Sequence, residues 1–164
     1  MRGTAVYHSP VGDIRLDWED GAVTALKNAD ADTKSDAPNE LTRRVFAQLD
    51  EYFAGTRMTF DFAWRAHGTP FQQKVWAALC EIPYGETRTY GNLAKDVANR
   101  FGRERMSAQA VGGAVGRNPI GLIVPCHRVV GANGALTGYA AGLDKKRRLL
   151  ELEQGKSTSV LFSK

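Results

Sequence analysis

Cysteine is nearly absent from this sequence: Cys80 and Cys126 are the only two. Two thiols are too few for a disulfide scaffold, and with three histidines they offer no ligand spacing typical of zinc. Residues 1–64 contain no cysteine at all, which excludes a cysteine-based zinc site there, and no metal or cofactor is implied. Also missing is any apolar run near the roughly 18 residues that would span a bilayer. The opening MRGTAVYHSP lacks the apolar stretch of a signal peptide. The expectation is a cytoplasmic protein without a membrane partner, and no internal repeat is visible.

What is present is an ordinary globular composition. With 164 residues, 43% hydrophobic and 24% charged, the chain can bury a core of one domain or two small ones. The net charge of +4 hides an asymmetry: residues 1–64 hold 7 Lys+Arg against 11 Asp+Glu, leaving 15 against 7, or +8, for residues 65–164. A basic half beside an acidic one fits a polyanion partner such as nucleic acid, and it equally fits a solvated basic face.

Along the chain, Ile14, Leu16 and Trp18 alternate with polar residues, Asp20-Gly21 supplies a turn and AVTALK follows, as in a small antiparallel meander. After a polar stretch, Leu41, Val45, Phe46, Leu49, Tyr52 and Phe53 recur at helical spacing, with Gly55 placed to end the helix. Phe60, Phe62 and Trp64 then alternate like another strand. Residues 1–65 therefore read as an α/β scaffold domain, and AHGTP, 66–70, as a linker. Thr69, Pro70 and Gln72 carry the signature of a capped helix start.

From there the pattern is mainly helical. Phe71, Val75, Trp76 and Leu79 make one apolar stripe, with Cys80 beside it as a buried structural thiol. Helices are expected over about 90–101 and 107–117, the first closed by Gly102 and the second opened by Ser107, an arrangement that suits a helix-turn-helix. The second of these, AQAVGGAVGRN, consists almost wholly of small residues. Gly112 and Gly113 cost helix stability, so either something approaches this helix closely or it packs tightly on a neighbour. GLIVP reads as a buried extended segment leading to Pro125-Cys126-His127-Arg128. A last helix opens at Asp144, carries the basic run Lys145 to Arg148 and closes near Gly155. The whole is of the α/β class: an N-terminal α/β domain with an antiparallel sheet, a mainly helical C-terminal domain over 71–156 with a helix-turn-helix, and a tail, 157–164.

A thiol becomes a nucleophile as its thiolate, and an adjacent imidazole can bring that about. Cys126 has His127 as its neighbour. Side chains of adjacent residues on an extended segment point opposite ways, so a bridging water is the expected link between them. A lone Cys-His pair is also compatible with a cysteine hydrolase, which would need an oxyanion hole and an open cleft.

The blocks FQQKVWAAL, IPYGETRTYGNLA, AVGGAVGRNP, IVPCHRVVG, and GY…G with KK..LLELE together span Phe71 to Glu153. In that span the chain closely resembles the O6-alkylguanine-DNA alkyltransferases. The resemblance implies that Cys126 accepts the alkyl group, that His127 takes its proton through a water, that Glu153 orients the imidazole, and that Tyr90 donates to N3 of the departing guanine. It implies that Asn118 ties the recognition helix to the acceptor turn, that backbone at Cys126 and Val129 reads the guanine edge, and that Tyr139 and Ala140 wall the pocket. The partner would be double-stranded DNA carrying O6-alkylguanine, and O4-alkylthymine is a further candidate. The DNA would be entered from the minor groove by a monomer that flips the base and is spent after one transfer. Ala110, Gly112, Gly113 and Arg128 would face the DNA. Where the family usually has an intercalating arginine, this sequence has Gln109, with Arg103 and Arg105 in an unusually long turn to assist it. Ala141 stands where a glycine is common and would narrow the pocket against bulky groups. The rival reading from another class is a module that binds alkylated DNA without repairing it. The resembling non-repair proteins replace the acceptor cysteine, so Cys126 argues against it.

Overall fold

A computed structural model of the chain describes residues 1–139 and 142–155. Ala140 and Ala141 lie outside the described residues, as does the tail, 157–164. Strands β1 (Arg2–Ser9), β2 (Gly12–Glu19) and β3 (Ala22–Asn28) form an antiparallel sheet in sequence order. Asp20 and Gly21 both have positive φ, 49° and 79°, the two left-handed positions that a tight two-residue hairpin needs. The outer edge of β1 is covered by the polar stretch that follows the sheet. The Thr4 amide donates to the Asp36 carboxylate and the Val6 amide to the Ser35 hydroxyl, so these edge donors are satisfied.

Helix α1 (Glu40–Phe53) starts at Asn39, whose side chain accepts from the Thr42 amide in a reciprocal capping box, and lays Val45, Leu49, Tyr52 and Phe53 into the core. The strand expected at Phe60 to Trp64 is not there. That segment makes one parallel bridge, Trp64 to Val23, and its alternation comes from aromatic packing, with the Phe60 ring 5.5 Å from Tyr52 and 5.9 Å from Phe62.

Helices α2 (Pro70–Cys80), α3 (Tyr90–Arg100), α4 (Ala108–Gly116) and α5 (Leu143–Glu153) make up the second half. Thr69 and Gln72 form the capping box at the start of α2, and Ser107 accepts from the Ala110 amide to open α4. The α3–α4 pair is the helix-turn-helix, fastened to α2 by the Trp76 indole donating to the Ala114 carbonyl. Cys80 is exposed at the end of α2, contrary to the buried thiol expected from its place beside the stripe.

One buried cluster runs through both halves, joining Leu16, Val23 and Leu26 of the sheet to Ile120, Val124 and Leu149. The junction is built from backbone as well: the Leu26 amide donates to Pro119 O and the Gly121 amide to Leu26 O. Strand β3 thus grips the segment that leads to Cys126. Among the described residues no helix is long and apolar enough to cross a membrane, and no group of His, Cys, Asp or Glu side chains could hold a metal ion.

Candidate active site

The segment before Cys126 is a succession of tight turns where an extended strand was expected. Asn118 organises it: its side-chain oxygen accepts from the Ile120 amide at 3.0 Å and its amide nitrogen donates to Val124 O at 2.7 Å. Within this clasp Leu122 takes φ 69°, a left-handed conformation uncommon for a residue with a Cβ, while its side chain is buried. Two prolines, Pro119 and Pro125, lack the amide hydrogens a strand ladder would need. Cys126–Arg128 follows as one 3-10 turn. Val129–Val130 (β5) then pairs in parallel with Arg88–Thr89 (β4). That short pairing sets Tyr90, the first residue of α3, beside the Cys126 turn.

His127 is fully buried, and its Nε2 lies 2.6 Å from Oε2 of Glu153 at the end of α5. A carboxylate can only accept, so Nε2 is the donor in this bond and carries its proton. Nδ1 is buried without a hydrogen-bond partner among the described residues. Burial alone would push the Glu153 carboxyl up; His127 and the Arg128 guanidinium outweigh it and hold the group well below the usual carboxylate range.

Arg128 does not face outward. It is 7% exposed, donates from Nε to Glu153 Oε1 at 2.7 Å, from Nη2 to Oε2 at 3.1 Å and from Nη1 to Ile82 O at 2.7 Å. Its placement among DNA-facing residues is therefore corrected: the whole fork is spent inside the protein.

Cys126 is half-buried. Burial pushes its thiol above the ordinary value, opposed by Asn118, by the charge of Lys146 and by the amides of Cys126 and His127. Burial thus favours the thiol over the thiolate. Beside it opens a cavity of about 270 Å³ walled by Ile14 and Leu26 of the sheet, Leu122, Tyr139 and Leu149.

The Tyr90 hydroxyl donates to Gly138 O at 3.1 Å and Thr137 O at 3.3 Å. Burial, and then the nearness of Cys126, raise its pKa. The same two carbonyls accept from Lys146 Nζ, at 2.8 Å for Thr137 and 3.3 Å for Gly138, and that ammonium sits 5.7 Å from the Tyr90 ring centre. Sequence reasoning passed Lys146 over as part of a solvated basic run. Its helical spacing from Leu149, Leu150 and Glu153, all buried, was the available signal. Tyr52 was passed over too: its hydroxyl donates to Glu153 Oε2 at 2.5 Å.

On α4, Gln109, Ala110, Gly113 and Gly116 are exposed, and so are Arg103 and Arg105 in the preceding turn. Gly112 faces inward instead, where an added Cβ would meet the Tyr90 ring at 3.8 Å; one at Gly113 would meet nothing.

Residues 70–155 match the family described as 6-O-methylguanine DNA methyltransferase, DNA binding domain, and residues 4–65 match its ribonuclease-like domain. The chain is 46% identical over 155 residues to the methylated-DNA–protein-cysteine methyltransferase of Methanosarcina acetivorans, covering 91% of this chain and 96% of that protein. Among solved structures it resembles the Mycobacterium tuberculosis O6-methylguanine methyltransferase, with a TM-score of 0.81, 41% identity, and coverage of 96% of this chain and 95% of that one. A second structure of that organism's OGT, in complex with DNA, superposes equally well at 42% identity, covering 96% of this chain and 98% of the other.

Proposed function

The chain belongs to the 6-O-methylguanine DNA methyltransferase family, and on that premise we propose that it moves the alkyl group of O6-alkylguanine in double-stranded DNA onto Cys126. This is direct-reversal repair. The observation that carries the reading is the Cys126 turn itself: a half-buried thiol followed by a buried imidazole whose Nε2 is held by Glu153 and whose Nδ1 has no hydrogen-bond partner among the described residues. His127, as the neutral base, takes the thiol proton from Cys126 through a water. The sulfur attacks the alkyl carbon, the S–C bond forms as the C–O6 bond breaks, and the electron pair leaves with the guanine. Tyr90, drawn off its carbonyls, donates a proton to N3 and lowers the cost of that leaving group. Lys146 keeps those carbonyls occupied when it does.

A paired base hides its O6 substituent from a thiol this recessed, so the nucleotide leaves the stack at a cost of a few kcal/mol. The exposed small residues of α4 let its backbone approach the minor groove, Gln109 fills the gap left in the duplex, and Arg103 and Arg105 supply charge to the phosphates. Residues 1–65 act as scaffold and 71–156 as the acceptor and DNA-binding unit of a monomer whose site is complete in one chain. A thioether does not hydrolyse readily, so each molecule acts once.

The test is to incubate the protein with an oligonucleotide containing O6-methylguanine and weigh the peptide bearing Cys126. One methyl gained per molecule is expected, with Cys126→Ser losing transfer but keeping salt-sensitive DNA affinity. Tight binding with an unchanged peptide would overturn alkyl transfer in favour of recognition without repair, and repeated turnover would point to a hydrolase.

A further inference from the structure

Resting on the alkyl-transfer reading, we infer that Tyr52, in the scaffold half, is a positioning residue of the proton relay, setting through Glu153 the pH range in which His127 accepts the Cys126 proton. Tyr52 lies 101 residues from Glu153 in sequence, one residue before the end of α1, and is fully buried. The Glu153 carboxylate receives hydrogen bonds from His127 Nε2, Arg128 Nε and Nη2, and the Tyr52 hydroxyl. His127 and Tyr52 share the same oxygen, Oε2, at 2.6 and 2.5 Å.

That sharing has a chemical consequence. A phenol donating to a carboxylate oxygen withdraws charge from it, so the oxygen pulls less strongly on the imidazole N–H. Without the phenol, the more negative Oε2 stabilises the imidazolium more strongly, so the neutral base is lost at a higher pH. The titratable and charged groups around this pair are Tyr52 from α1, Tyr84 from the turn after α2, Cys126 and Arg128 from the acceptor turn, Tyr139, and Lys146 of α5 near Cys126. Of these only Tyr52 and Arg128 hydrogen-bond the carboxylate, and Arg128 keeps one charge throughout. The Tyr52 ring is held edge-on by Phe53 at 5.2 Å and Tyr84 at 6.3 Å, which fixes the direction of the hydroxyl.

Tyr52→Phe deletes the hydroxyl and keeps the ring packing. Single-turnover methyl transfer from O6-methylguanine DNA, followed as a function of pH, should show the acid limb displaced upward by about half a unit to one unit, a 3- to 10-fold slower rate at a fixed pH on that limb. The rate should recover at higher pH. NMR titration of the His127 ring should move in the same sense. Leu49→Ala is the control, since it opens a hole beneath the same helix and keeps the Tyr52 hydroxyl; it should lower the melting temperature and leave the limb in place. A rate loss in Tyr52→Phe that is equal at every pH, or a limb shift of the same size in Leu49→Ala, would overturn the inference. If the unmodified protein transferred no methyl at all, the alkyl-transfer reading would fail first and the inference with it.

Discussion

Replacing Arg128 by methionine separates two roles for a basic residue beside the acceptor cysteine. In the fold its guanidinium makes two bonds to Glu153 and one to Ile82 O, with the side chains of both ion-pair partners less than one-tenth exposed. Methionine fills much of the volume and supplies none of the donors. It leaves Glu153 as a buried carboxylate held by Tyr52 and His127 alone, and Ile82 O without its donor. Breaking a buried pair from one side costs about 3–5 kcal/mol. For a chain of this size each kcal/mol moves the melting temperature about 2–4 °C, so a fall of about 6–20 °C is expected in a thermal scan. The same variant, measured at a temperature where it is folded, should bind duplex DNA with an unchanged dependence on salt. A phosphate contact would behave in the opposite way, reducing the slope of log K against log salt by about one while leaving stability nearly intact. A stable Arg128→Met protein with a reduced slope would refute the internal role.

On α4, Gly113→Ala should raise stability by about 0.5–1 kcal/mol, because its methyl meets nothing and glycine is costly inside a helix. Gly113→Leu should weaken duplex binding from the same exposed position, and unchanged affinity would refute close approach of this helix to DNA. Gln109→Ala should slow transfer from duplex DNA while leaving reaction with free O6-methylguanine unaltered; equal rates on the duplex would end its intercalating role. Glu153 also makes stability depend on pH. Its carboxyl is held well below the ordinary range in the fold, so its stabilising contribution is complete above the unfolded value and drains away as pH falls. Below about pH 4 the urea-unfolding free energy should drop by about 1.4 kcal/mol per pH unit on this group's account. Glu153→Gln should lose that part of the slope, and an identical slope in the variant would contradict the depressed carboxyl.

Sequence periodicity and capping alone located β2 and β3, α1, α2, the α3–α4 pair and α5, because local hydrogen bonding and a 3.6- or 2-residue apolar repeat are written within each segment. The residues proposed for alkyl transfer came from a different source: the blocks around Tyr90, Asn118, Cys126 and Glu153 resemble one family. What local pattern could not reveal was the fate of polar side chains after packing. Arg128 was read as DNA-facing and Lys146 as part of a basic run, and both are buried in the fold, Arg128 against Ile82 and Glu153 and Lys146 against Thr137. The alternation of Phe60 to Trp64 reads as a strand, and only the neighbouring Tyr52 ring explains it as aromatic packing. Cys126 itself was named by the sequence as a thiol beside a histidine. That the thiol is favoured over the thiolate, and that Tyr52 of the first 65 residues hydrogen-bonds Glu153, depend on desolvation and on a contact across 101 residues, both of which come into being only when the two halves pack together.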